Sequence, residues 1–332
     1  MFEIRWERRL HQAGTDSGIS VATGGEVVLH ERRTRLVCLD PMTGARRWDV
    51  PVGTWPRALT IAEERCFALP QNASRLLCFD LETGDRVWST ELDSTTGHLV
   101  VSGDALLAGG WRGYTPLRLM DRETGELRWR TADRSHTARP IAADGGVLVG
   151  EPGGSAVRLL DRRDGAEIAA WPLPHPLIDT DNKATFTSAG NDRFLTRCGL
   201  HSVVDIRPSQ GTVRECLVAH HDLASSAPVH VGGLLWLRER RGGFTVADLV
   251  DERVRYRVDV GQPLLDHVVA VDSGFVVAST TGTLFHLDSE GTVTERVTVS
   301  RRIRALRPHT DGQVLVAAKG TLLAIKVGPR RE

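Results

Sequence analysis

A thirteen-residue pattern returns at a nearly fixed interval, and that interval limits the fold more than any other feature of the chain. Leu36-Val-Cys-Leu-Asp40-Pro-Met-Thr-Gly44-Ala-Arg-Arg-Trp48 recurs as Leu76-Leu-Cys-Phe-Asp80-Leu-Glu-Thr-Gly84-Asp-Arg-Val-Trp88 and as Leu117-Arg-Leu-Met-Asp121-Arg-Glu-Thr-Gly125-Glu-Leu-Arg-Trp129. Each copy reads as an apolar strand, a polar turn closed by Thr-Gly, and a second strand that starts charged and carries a Trp. Glycine supplies the positive φ that a tight hairpin needs, and the Asp side chain can accept hydrogen bonds from turn amides. Further copies begin at Val157, Val203, Phe244, Leu284 and Leu322, so the spacing stays between 38 and 46 residues. The later copies are worn: Ala169 replaces the Trp in the fourth, Arg207 the Asp in the fifth, and Tyr256 the Trp in the sixth. The seventh has a turn one residue shorter, closed by Gly291.

A second pair of strand signals precedes each hairpin, as in Ala142-Ala-Asp-Gly-Gly-Val-Leu-Val-Gly150. Alternating apolar residues around Asp-Gly or Gly-Gly mark a hairpin. Each repeat is therefore four strands, and four-stranded units at this period predict an all-β propeller. The eighth copy ends after one strand, Thr321-Leu-Leu-Ala-Ile-Lys326, whereas Glu3-Ile-Arg-Trp6-Glu-Arg-Arg reads as an orphan Trp-bearing strand. The prediction is one domain over residues 1–332, with eight blades. The N-terminal strand pairs into the last blade and removes the open edge.

The motif Leu-x-x-Leu-Asp-x-x-Thr-Gly-x-x-x-Trp resembles the repeat of PQQ-type eight-bladed propellers. That superfamily includes the quinoprotein alcohol dehydrogenases and the propeller lipoprotein of the outer-membrane β-barrel assembly machinery. The resemblance implies the scaffold and leaves function open. The quinoproteins clamp PQQ under a disulfide between adjacent cysteines and hold Ca²⁺ near a catalytic Asp. Cys38, Cys66, Cys78, Cys198 and Cys216 include no adjacent pair, so PQQ binding is not expected. The lipoprotein's export signal and lipid-attachment cysteine have no counterpart at Met1-Phe-Glu-Ile-Arg-Trp-Glu-Arg-Arg9, and the expectation is a cytoplasmic protein of bacterial type.

Composition adds exclusions. There are 42 basic and 42 acidic residues, which argues against a dedicated nucleic-acid or membrane-surface protein. The cysteine spacings match no zinc pattern, so buried free thiols are expected.

Chemistry is expected at the channel mouth, where connections between blades converge. Four consecutive connections, 131–138, 172–183, 218–224 and 260–267, carry His136, His175, His220, His221 and His267 with Asp179, Asp181, Asp222 and Asp266. Clustered imidazoles and carboxylates suit acid–base work or a divalent metal. The second connection also holds an insertion of about six residues, and long ordered loops tend to be functional. Trp55, Arg57, Trp111, Arg112, Tyr114, Arg134, Lys183, Arg238 and Arg302 are candidates for stacking on, or neutralising, a planar or anionic ligand.

Two readings follow. In the first, the mouth binds a small polar or anionic metabolite and transforms it by non-redox chemistry of lyase, hydrolase, isomerase or cyclase type. In the second, the propeller is a non-catalytic scaffold for a partner protein. The histidine-bearing connections and the inserted loop favour the first, with the scaffold as the alternative.

Overall fold

The computed structural model describes the chain except residues 12–18, 22–24, 33, 54–55, 71–73, 93–96, 133, 181–182, 191, 300–301, 311 and 329–332. Among the described residues thirty-two strands, numbered β1 to β32 along the chain, form eight antiparallel four-stranded sheets. Blade 1 is β2 (Ile19–Val21), β3 (Val27–Glu31), β4 (Arg35–Leu39) and β5 (Arg46–Pro51), in that order from inside to outside. Blades 2 to 7 repeat this plan over residues 56–91, 98–130, 141–172, 186–218, 229–258 and 264–298. Blade 8 is β30 (Ile303–Pro308), β31 (Gln313–Ala318) and β32 (Thr321–Val327), completed on its outer edge by β1 (Phe2–Arg9). The ring is thus an eight-bladed propeller closed by the N-terminal strand, as the sequence predicts.

The repeated Asp makes the turn. Asp40 Oδ1 accepts from the amides of Met42 and Thr43 at 3.0 Å each. Asp121 Oδ1 does the same for Glu123 at 2.9 Å and Thr124 at 2.8 Å. These bonds satisfy amides that the hairpin leaves without strand partners.

The apolar residues of each sheet face the neighbouring sheets. Val28, Leu36 and Cys38 of blade 1 pack with Cys66, Ala68, Leu77 and Phe79 of blade 2. The seam between blades 8 and 1 is filled in the same way, by Leu315, Leu322 and Ala324 against Val27, Leu29 and Val37. All five cysteines are buried free thiols. Burial pushes Cys38, Cys78 and Cys216 up to about 12, so these sulfurs stay protonated.

The repeated Trp and Gly join consecutive blades. Trp48 projects from the outer strand of blade 1 onto the turn of blade 2, where its Nε1–H donates to the Leu81 carbonyl at 2.8 Å. Trp88 donates to Arg122 at 3.1 Å and Trp129 to Arg162 at 2.9 Å. The orphan Trp6 pairs with Ala324 across the blade 8 sheet and donates to Pro41 of blade 1 at 2.9 Å, so the seam has the same joint. Under each ring lies the turn glycine of the next blade. At Gly44, with φ of 66°, a Cβ would lie 2.5 Å from the Trp6 ring. Glycine is needed there for both conformation and space.

The worn copies solve the joint differently. Tyr256 of blade 6 stands on Gly291 of blade 7. Between blades 5 and 6, Glu252 occupies the glycine position at φ of 52°, and Arg193 donates to the Leu249 carbonyl at 3.4 Å in place of an indole. Arg214 pairs with Glu252, and Asp205 gathers Arg193 at 3.0 Å and Arg207 at 3.2 Å. Between blades 4 and 5, Ala169 stands in place of the ring, and no atom lies within 4 Å of where a Gly211 Cβ would be.

Trp6→Ala is expected to cost about 3–5 kcal/mol in denaturant unfolding of the whole ring, through lost packing. Trp6→Phe keeps a ring and loses the bond to Pro41, a further measurable cost of about 1 kcal/mol. A Trp6→Ala variant as stable as wild type would remove the seam from the account of ring stability.

Candidate functional site

Strand direction alternates within each blade. The connections between blades and those joining second to third strands therefore open on one face, and the Asp-Thr-Gly turns open on the other. The long connection 173–185 lies on the first face, between β17 (Glu167–Pro172) and β18 (Phe186–Ser188). Leu177 ties it down: its amide donates to Gly154 O at 2.8 Å, and its carbonyl accepts from Gly153 at 2.7 Å. From this anchored insertion Lys183 reaches past blade 6 to Asp266 of blade 7, with Nζ to Oδ2 at 2.5 Å. Arg238, at the end of β23 (Leu234–Arg238), lies 3.6 Å from the other oxygen of Asp266. The structure brings these three candidates together at the mouth.

Asp266 and His267, expected on an inter-blade connection, lie instead within β26 (Leu264–Val271), the inner strand of blade 7. The pairing with β27 (Gly274–Ser279) jumps from Leu264↔Ser279 to Val268↔Val277. The extra residues form a bulge, which bends the strand and re-aims its side chains. His98 is buried in β10 (His98–Ser102), where Nε2 meets the Thr137 carbonyl at 3.0 Å.

The remaining candidate histidines are distributed rather than gathered. His136 lines a groove of about 400 Å³ between blades 3 and 4, together with Arg130 and Glu167. His220 lines another of about 450 Å³ between the outer strands of blades 5 and 6, with Glu215 and Glu252. His175 is exposed, with Nε2 3.9 Å from Glu215. Asp222 Oδ1 sits 3.4 Å from His201 Nε2, and His201 Nδ1 lies 3.3 Å from the His221 carbonyl. Among the described residues no three His, Cys, Asp or Glu side chains are grouped so as to hold a metal ion. Asp179, Arg134 and Arg302 are exposed on this face. Trp55, Asp181 and the side chain of Arg57 lie outside the described residues.

Trp111, Arg112 and Tyr114 form a compact platform between the second and third strands of blade 3. The Trp111 ring is buried and packs over Gly97. Arg112 lies above it, 4.6 Å from the ring centroid, and Tyr114 meets it edge-on at 5.6 Å. Tyr114 remains 54% exposed. Gly109 and Gly110 shape the turn at φ of 107° and 84°; a Cβ on them would lie 2.3 Å from Pro116 O and 2.5 Å from His136 O.

Two buried charges were not legible as site residues. Arg197, in β19 (Phe194–Cys198), donates to the carbonyls of Ala224, Gly199 at 3.1 Å and Leu200 at 3.0 Å. It fastens the connection bearing His220, His221 and Asp222, and burial lowers its guanidinium to about 10. Glu239 is buried beneath Arg238, and its carboxylate accepts from Arg257 at 2.7–2.9 Å and from Thr245 at 2.9 Å. Burial alone would raise Glu239. The Arg257 and Thr245 bonds, with the nearby charges of Arg257 and His221, hold it below its ordinary 4.5.

A family model described as outer membrane protein assembly factor BamB matches residues 3–113 and 72–218. BamB from Moraxella catarrhalis superposes with a TM-score of 0.77 at 14% identity, covering 100% of this chain and 99% of that one. The computationally designed Ika8 protein gives 0.75 at 16% identity, covering 98% and 100%. The quinohemoprotein alcohol dehydrogenase ADHIIG from Pseudomonas putida HK5 gives 0.68 at 11% identity, covering 100% of this chain and 78% of that one. A search of curated proteins found no significant match. At these identities the structural likenesses establish the fold.

The depressed Glu239 stabilises the folded state above its unfolded pKa, and that contribution disappears as pH falls through the folded value. Between pH 5 and pH 3 the wild type should therefore lose more stability than Glu239→Gln. At pH 7 the variant should be less stable by about 1–3 kcal/mol. Parallel pH profiles for the two proteins in urea unfolding would contradict this assignment.

Proposed function

The chain belongs to the outer membrane protein assembly factor BamB family, and from that premise we propose that it is a non-catalytic docking propeller that grips a partner protein on its channel-mouth face. The observation that carries this reading is the Trp111–Arg112–Tyr114 platform. Tyr, Trp and Arg dominate the small set of residues that supply most binding energy at interfaces. The supporting ring is buried and the glycine turn is fixed by close contacts, so little freedom is lost on docking. The exposed Arg134 lies on the neighbouring connection, which touches the platform where Gly113 approaches its carbonyl. This chemistry suits a partner segment that presents a carboxylate beside an apolar side chain.

The metabolite-transforming reading has weaker support. Its candidate acids and bases are spread over three connections and the inner strand of blade 7, and both oxygens of Asp266 are engaged by Lys183 and Arg238. Charges already paired in this way favour a rigid rim over an open reaction pocket.

A photo-crosslinking residue at Tyr114, compared with one at Met42 on the opposite face, tests the docking reading in cells of the source organism. Crosslinking to one defined protein is expected from position 114 only. Arg112→Ala should reduce its yield about tenfold, as for a residue worth about 1.4 kcal/mol. Equal products from both positions would defeat the proposal.

A further inference from the structure

Blade 7 departs from the repeat at two positions that pair with each other. In the alignment of copies, Leu284-Phe-His-Leu-Asp288 sets His286 where Cys38, Cys78 and Leu119 stand. Those three pair across their sheets with Trp48, Trp88 and Trp129, whereas His286 pairs with Glu295. An imidazole thus replaces an apolar side chain, and a carboxylate replaces the indole. Breaks of a chain's own structural rule concentrate at functional or strained sites.

His286 is buried in β28 (Thr283–Leu287), with both ring nitrogens engaged. The pairing with β29 (Val293–Thr298) slips between His286 and Leu287, so Thr294 is the extra residue of a bulge, a device that re-aims side chains. Thr294 Oγ1 lies 2.6 Å from His286 Nδ1 and donates its hydrogen to the His286 carbonyl at 3.2 Å. The hydroxyl oxygen then accepts from Nδ1–H, so the hydrogen-bond network assigns the ring proton to Nδ1 and leaves Nε2 bare. Ser273, exposed in the turn between β26 and β27, holds its Oγ 3.0 Å from Nε2 and donates to it. A hydroxyl on a base, with a third group that orients the base, is the arrangement of an activated serine. Burial lowers the imidazole below its ordinary value, so it is neutral near pH 7.

We propose that Ser273 is a self-acylating nucleophile, with His286 as its general base and Thr294 as the residue that positions the base. The substrate class is a small activated ester, neutral or cationic, because the Asp272 carboxylate adjoins the serine and repels an anionic one. In the step, Oγ bonds to the ester carbonyl carbon while its proton passes to Nε2. The bond from that carbon to the leaving oxygen breaks, and Nε2 gives the proton to the departing alcohol. One acyl group stays on Ser273. The site is therefore a modification site, and it lies on the turn face, opposite the docking platform of blade 3.

Treatment of the full chain with p-nitrophenyl acetate, and separately with a fluorophosphonate, tests the site. Peptide mass spectrometry should find the acetyl or phosphonyl group on Ser273, at a rate about 100-fold above that at Ser209, an exposed serine on the same face. Ser273→Ala should abolish the adduct. His286→Leu restores the residue type that Leu119 supplies in blade 3, and it should slow labelling of Ser273 about 100-fold. Thr294→Val should change the His286 side-chain ¹⁵N shifts, which report the tautomer, and slow labelling; Thr294→Ser should restore both. No adduct on Ser273, equal labelling of Ser273 and Ser209, or a His286→Leu rate equal to wild type would overturn the proposal. Should His286→Leu fail to fold, the wild-type comparison of Ser273 with Ser209 decides the matter.

Discussion

An indole laid on a glycine, with its N–H bonded to the adjacent turn carbonyl, is the interaction on which this ring depends. Each sheet is apolar on both faces and cannot be soluble alone. The propeller exists because neighbouring sheets cover each other. Apolar cover sets no angle between sheets, but the Trp–Gly contact does. It fixes where the outer edge of one blade meets the turn of the next, and it fixes distance because any side chain at Gly44 would collide with Trp6. The same contact at the seam, supplied by β1, makes the eighth joint equivalent to the first three.

The joint between blades 5 and 6 replaces geometry with charge. Arg193, Arg207, Arg214, Asp205 and Glu252 hold blades 5 and 6 through ion pairs and carbonyl bonds. Arg197 and Glu239 fasten the connections above them. The departure from the repeat coincides with the inserted connection and with the Lys183–Asp266–Arg238 contact at the mouth. In these blades local ion pairs stand in for the repeated joint on the turn face, while separate contacts of Lys183, Arg197, Arg238 and Glu239 shape the opposite face, where connections converge.

Much of the architecture was legible in the chain because it is written locally and repeatedly. Asp40, Gly44 and Trp48 each act within a few residues or on the next repeat, so period and spacing reveal them. Trp6 could be assigned to the last blade because it fills a vacant place in a counted series. The mouth was less legible. Asp266 and His267 read as loop residues because a bulge breaks the alternation that marks a strand. His98 is polar yet lies buried inside a sheet, where a carbonyl on the following connection meets its Nε2. Arg197 reads like any other arginine in the sequence, because its role depends on the carbonyls of Gly199, Leu200 and Ala224 that the fold gathers around it.

The joint between blades 4 and 5 carries a different kind of consequence. A closed ring under thermal agitation opens at its weakest link, and a seam between chain ends is usually assumed to be that link. Here the seam has Trp6 on Gly44, whereas Ala169 leaves Gly211 uncovered. This joint without a ring therefore lies within continuous chain, beside the anchored insertion, and is held by side-chain packing alone: Leu159 and Trp171 against Phe194, Val204 and Ile206.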